Sequence, residues 1–93
     1  MKAELVTKVR SDLSETAFVE MVVWRVPTPL EGSSHNFKYR FAFIENDICV
    51  LRYDNEAGKG DHKHIGNREY DYHFVGLKEL EQNFRTEVER LRK

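Results

Sequence analysis

The chain has 93 residues, 33% of them charged and 40% apolar, with a formal net charge of -1. That length holds one domain, residues 1–93, near the lower limit for a self-sufficient core. The composition excludes a disordered chain, the near-zero charge excludes a general basic field for nucleic acid, and the short, interrupted apolar runs exclude a segment long enough to span a bilayer.

Met1-Lys2-Ala3-Glu4 lacks the apolar stretch of a signal peptide, and the single cysteine, Cys49, excludes an internal disulfide. Both point to a reducing, cytoplasmic setting. Cys49 lies in Ile48-Cys49-Val50-Leu51, where it reads as a small buried hydrophobe rather than a nucleophile.

Residues 4–9 read as a first, partly alternating strand, and Ser11-Asp12-Leu13-Ser14 supplies turn residues. Residues 17–26 form the strongest strand candidate. Phe18, Val19, Met21, Val22, Val23, Trp24 and Val26 make it apolar on both faces, as in a central strand. Trp24-Arg25 offers a surface for stacking on a base, but in a central strand core packing is the expected fate of Trp24. Pro27 and Pro29 end the strand, and Glu31-Gly32-Ser33-Ser34-His35-Asn36 is a polar loop that leaves His35 as a loop residue.

A hairpin follows. Phe37, Tyr39, Phe41 and Phe43 alternate with polar or small residues, Asn46-Asp47 marks the turn, and residues 48–54 return. A three-residue turn pairs Phe43 with Cys49, Phe41 with Leu51 and Tyr39 with Tyr53, and sets Arg40 beside Arg52 on the other face. A two-residue turn puts Arg52 opposite Phe41, among the aromatics. Patterning favours the first. Two adjacent arginines need an anion, either a phosphate or the nearby Glu20 and Glu45.

Residues 70–75 alternate like a short last strand, with His73 packed between Tyr72 and Phe74. Leu77, Leu80, Phe84, Val88 and Leu91 then recur at spacings of three and four, the apolar stripe of one helix, with Glu81 and Arg85 paired on its wet side. The fold class expected is α+β: an antiparallel sheet of about five strands with a C-terminal amphipathic helix packed on one face.

The chemistry concentrates in Lys59-Gly60-Asp61-His62-Lys63-His64, entered through Arg52-Tyr53-Asp54-Asn55 and Gly58. On an extended segment His62 and His64 project together, with Asp61 and Lys63 on the opposite side. Two imidazoles near a phosphodiester can serve as general base and general acid, and a cation such as Lys59, Lys63, Arg52 or Arg40 can stabilise charge on phosphorus. Gly58 and Gly60 let backbone N–H groups approach a phosphate, and Tyr53 can stack on a base. No metal or other cofactor is required. The competing chemical reading is zinc bound by His62 and His64 with Asp61, His35 or His73, although no cysteine pair or zinc-protease motif supports it. The bland reading is a polar surface loop with two solvated histidines.

Three blocks carry a resemblance over nearly the whole chain. They are Phe18-Val19-Glu20-Met21-Val22-Val23-Trp24-Arg25-Val26-Pro27, Phe37-Lys38-Tyr39-Arg40, and the run from Cys49 through Lys59-Gly60-Asp61-His62-Lys63-His64. They resemble the TumE-like family, regarded as toxins of type II toxin–antitoxin modules. The family typically has arginine where this chain has Lys63, which keeps the charge but loses the planar fork. The resemblance implies an antitoxin partner, commonly a helix-turn-helix protein of the XRE type. Combined with the loop chemistry, it suggests a metal-independent endoribonuclease. In that reading His62 and His64 are the acid–base pair, Asp61 is an orienting carboxylate, and Lys59, Lys63, Arg52 and Arg40 are phosphate contacts. The alternatives are a noncatalytic module binding a protein or nucleic acid, and a zinc-dependent hydrolase. A homodimer is left open.

Overall fold

The structure, a computed structural model, describes residues 3–92. Six strands run in chain order through one antiparallel sheet: β1 (Glu4–Asp12), β2 (Ala17–Arg25), β3 (Phe37–Glu45), β4 (Ile48–Glu56), β5 (Gly60–Ile65) and β6 (Arg68–Asp71). One helix, α1 (Leu77–Arg92), follows. The α+β architecture expected from the pattern is the one observed, with six strands against about five. The additional element is β5, which forms a hairpin with β6 by turning on Gly66-Asn67 between the paired Ile65 and Arg68. The last strand is correspondingly earlier and shorter than residues 70–75, and residues 72–76 instead cross the sheet end to reach the helix.

The helix covers one face only. Leu80, Phe84 and Val88 are buried against Val19, Met21, Val23, Tyr39, Phe41, Phe43, Leu51 and Tyr53. Phe84 meets the edges of Phe41 and Tyr53 at ring separations of 5.4 and 5.8 Å. Each such side chain, fully buried, contributes about 1.5–3 kcal/mol. The apolar stripe and the Glu81–Arg85 pair, at 3.5 Å, are as the spacing indicated. The second face of β2 has no cover, so Phe18 and Val22 are only half-buried and Trp24 is exposed. Packing of that strand on both sides would require a second layer, and one helix supplies one.

The hairpin register follows neither arrangement set out from the sequence. Asn46 and Asp47 both take positive φ in a two-residue turn, with Glu45 opposite Ile48 and Ile44 opposite Cys49. The register then shifts, so that Phe43 faces Leu51, Phe41 faces Tyr53 and Arg40 faces Asp54. The reason is parity. A left-handed two-residue turn fixes an odd offset, while a continuous aromatic face needs an even one. One bulged residue, Val50, reconciles them. Its carbonyl accepts from Gly66 N–H at 3.1 Å, so the irregularity leaves no orphan there. Arg52 consequently lies opposite Ala42 rather than beside Arg40, and its anion is Asp54, not Glu20 or Glu45.

Candidate functional site

Register decides which face each candidate reaches. Arg52 faces His64, Asp54 faces His62, and these continue to Glu69 and Asp71 on β6. These six side chains share the side of the sheet that the helix leaves open. Asp61 and Lys63, at the alternate positions of β5, point to the helix side.

On the open side the two imidazoles converge. His62 Nε2 lies 3.3 Å from Glu69 Oε1 and 3.5 Å from Asp71 Oδ1, and its Nδ1 faces the Gly60 carbonyl at 3.2 Å. His64 Nδ1 lies 3.9 Å from Glu69 Oε2, and its Nε2 lies 3.7 Å from Asp54 Oδ1. The side chains are 13% and 27% exposed respectively, so water reaches both. Arg52 Nε stands 3.0 Å from Asp54 Oδ2, held by charge without a directed hydrogen bond. Three carboxylates from two strands therefore ring the pair, and Arg52 is the cation closest in register.

The helix side carries a different constellation. Asp61 accepts from Ser33 Oγ at one oxygen and from His35 Nε2 and Tyr39 OH at the other, each at 2.7 Å. His35 Nδ1 accepts from Phe37 N–H, which assigns the proton to Nε2, and the ring stacks on Phe74 at 3.7 Å. Burial, then the bond to Asp61, push the Tyr39 phenol well above its ordinary range, so it stays a donor. Asn55, fully buried, accepts from Tyr39 N–H and donates to the Phe37 carbonyl and Ser33 Oγ. It thus replaces the ladder beyond Arg40, where β3 and β4 stop pairing. Together these bonds fasten the loop preceding β3 to the start of β5.

Lys63 reaches the helix, where Glu87 accepts from its Nζ at 2.9 Å and from Tyr53 OH at 3.1 Å. Arg90 also pairs with Glu87. Burial alone would raise the Glu87 carboxyl, but hydrogen bonds from Arg90, Lys63 and Tyr53 outweigh it and hold the group below the usual range. Tyr53, buried beside Tyr72 and Phe84, has no face open to a base.

Gly58 and Gly60 adopt positive φ at the turn into β5, where Gly58 N–H donates to Glu31 O at 2.7 Å. Lys59 stands exposed at the rim of an open polar cleft of about 500 Å³ that Ser33, Ser34, Asp71 and His73 also line.

The structure thus unites His62, His64, Arg52 and Arg40 on one face. It places Asp61, Lys63 and Tyr53 on the other, and Lys59, Gly58 and Gly60 at the turn. His35 is not a free loop residue but half-buried in the Asp61 cluster, and His73 is exposed rather than packed. Sequence reasoning missed Glu69 and Asp71 because the hairpin that brings them opposite the histidines was not recognised. The Gly66-Asn67 pair was its signal. Among the described residues, no group of three or more His, Cys, Asp or Glu side chains is arranged to hold a metal ion. No helix there is long and apolar enough to cross a membrane.

Compared with protein families, residues 2–92 match the family described as Toxin TumE. Comparison with curated proteins and with solved structures returns no match. The match extends over almost the whole chain, including both constellations just described, and the chain belongs to the Toxin TumE family, the toxin side of a toxin–antitoxin system with an antitoxin as its partner.

Proposed function

We propose that this toxin is a metal-independent endoribonuclease whose acid–base pair is His62 and His64. The observation that carries the reading is the convergence of both rings on the Glu69 carboxylate, at 3.3 and 3.9 Å, on a sheet face open to a substrate. Free imidazole titrates near neutral pH and can act in either direction.

His64, the more exposed ring and without a hydrogen bond among the described residues, takes the proton of the 2′-hydroxyl. The freed oxygen attacks the adjacent phosphorus. His62 has an oxygen acceptor at each ring nitrogen, which suits the group that protonates the departing 5′-oxygen. The products are a 2′,3′-cyclic phosphate and a 5′-hydroxyl. Arg52 supplies positive charge near the phosphorus, and Asp54 holds it there.

Entry of a phosphate displaces Glu69 and Asp71, whose exposed positions on a short edge strand let them turn to solvent. Asp61 acts as a positioning residue, fixing the start of β5 through Ser33, His35 and Tyr39 rather than touching the pair. Lys59 and the Gly58–Gly60 turn meet the RNA backbone away from the scissile bond. The cognate antitoxin, by the family resemblance, is a helix-turn-helix protein of the XRE type.

The test is digestion of RNA by purified toxin in EDTA. His62→Ala and His64→Ala each abolish cleavage without lowering thermal stability by more than a few degrees. Cleavage retained in both variants refutes the assignment, and absence of turnover in the native protein favours a noncatalytic binding module.

A further inference from the structure

We propose that Trp24 and the cations around it form a base-stacking subsite for single-stranded RNA, upstream or downstream of the histidine pair on the same sheet face. The inference rests on RNA being the substrate, as read above, and adds where its bases are held.

Trp24, near the end of β2, is 37% exposed although its strand is flanked on both sides by paired neighbours. Leu5 and Lys38 lie directly opposite it, Val22 is two residues along, and Lys8 and Arg40 face Val22. Every one of these neighbours is apolar or cationic. Lys8, Lys38 and Arg40 enter no ion pair among the described residues. Lys38 Nζ donates only to the Asn55 carbonyl, at 3.3 Å. Three cations outside any ion pair thus flank an indole by register in a chain of net charge -1, and Asp54, the carboxylate opposite Arg40, is paired with Arg52 instead. Protein-binding patches are depleted in lysine, whereas surfaces for single strands combine an aromatic platform with backbone-tracking cations.

The geometry connects this patch to the chemistry. The row Val22, Arg40, Asp54, His62 crosses β2 to β5 by direct register. Three strand spacings amount to about 14 Å. An extended strand of a few nucleotides covers that distance, with a base on Trp24, a phosphate near Arg40 and the scissile linkage at the imidazoles.

Trp24 is the single tryptophan of the chain, so its fluorescence reports on the subsite directly. The experiment titrates a short oligoadenylate into full-length toxin carrying His62→Ala and His64→Ala, following that emission, and measures cleavage kinetics in the otherwise native protein. The expected results are saturable quenching and a Trp24→Ala variant whose KM rises about tenfold at nearly unchanged kcat, since stacking of one base is worth on the order of a factor of ten or more. Trp24→Phe restores most of the affinity, and Lys38→Ala with Arg40→Ala lessens its salt dependence.

RNA binding without quenching, or an unchanged KM in Trp24→Ala, overturns the subsite while leaving the nuclease reading intact. Quenching and a weakened Trp24→Ala complex in a protein that never cleaves RNA uphold the subsite and defeat the nuclease reading. A Trp24→Ala variant that keeps its RNA affinity but escapes the antitoxin assigns the patch to the protein partner and likewise overturns the proposal.

Discussion

Asn55→Ala tests the role of side-chain bonds at the end of the sheet. Asn55 is 0% exposed, its Oδ1 accepts from Tyr39 N–H at 3.0 Å, and its Nδ2 donates to Phe37 O at 2.7 Å and to Ser33 Oγ at 3.3 Å. Truncation removes all three bonds and leaves Tyr39 N–H and Phe37 C=O facing a void too enclosed for easy rehydration. Each unsatisfied buried group costs about 1–3 kcal/mol, so a loss of roughly 3–5 kcal/mol is expected. A domain of this size has only about 5–15 kcal/mol in total. At roughly 4–8 °C per kcal/mol, the melting temperature falls by about 12–40 °C. Asn55→Asp separates hydrogen bonding from volume. It keeps the acceptor for Tyr39 but sets a carboxylate oxygen against the Phe37 carbonyl, so it is destabilised at least as much. Urea unfolding followed by circular dichroism, with the slope held common, measures both. A loss under about 1 kcal/mol in Asn55→Ala, or native stability in Asn55→Asp, refutes the account.

Glu87 has a carboxyl pKa depressed in the folded state, so its contribution is present above the unfolded carboxyl range, near pH 4.3, and disappears as pH falls through the folded value. Glu87→Gln is therefore less stable than the native chain at neutral pH, and the two converge in urea midpoints toward pH 3. Tyr39 and Tyr53 behave oppositely. Burial raises both phenols, seconded by Asp61 and Glu87, so stability is full below about pH 10 and declines above it as the unfolded phenols ionise. Tyr39→Phe flattens that alkaline decline, read from denaturation midpoints or from phenolate absorbance that rises only on unfolding. Gly60→Ala places a Cβ 2.7 Å from Gly32 O at a φ of +78°, and is expected to cost about 1–3 kcal/mol in thermal unfolding.

Much of this fold is local in origin and so could be read directly. The period-two aromatics of β3, the three-and-four spacing along α1 and the prolines after β2 each specify an element through the side chains of that element alone. The projection of His62 and His64 to one side, with Asp61 and Lys63 to the other, follows from strand geometry in the same way. The hairpin register was legible only in part. Asn46-Asp47 indicated the turn, and the aromatics indicated the face, but their conflicting parities required a bulge whose position neither reveals.

What alternation cannot state is which side of the sheet a helix will cover. The sequence by itself determined that the two imidazoles share a side, that a helix packs on the aromatic row, and that the segment around them is rich in charge. Only the tertiary structure decided that this side is the open one, that Asp61 belongs to a buried cluster with His35 and Tyr39, and that Trp24 faces solvent. Periodicity is a property of one strand's backbone, whereas exposure depends on what other elements lie against it. With a single helix among the described residues, one face is buried and the other stays open.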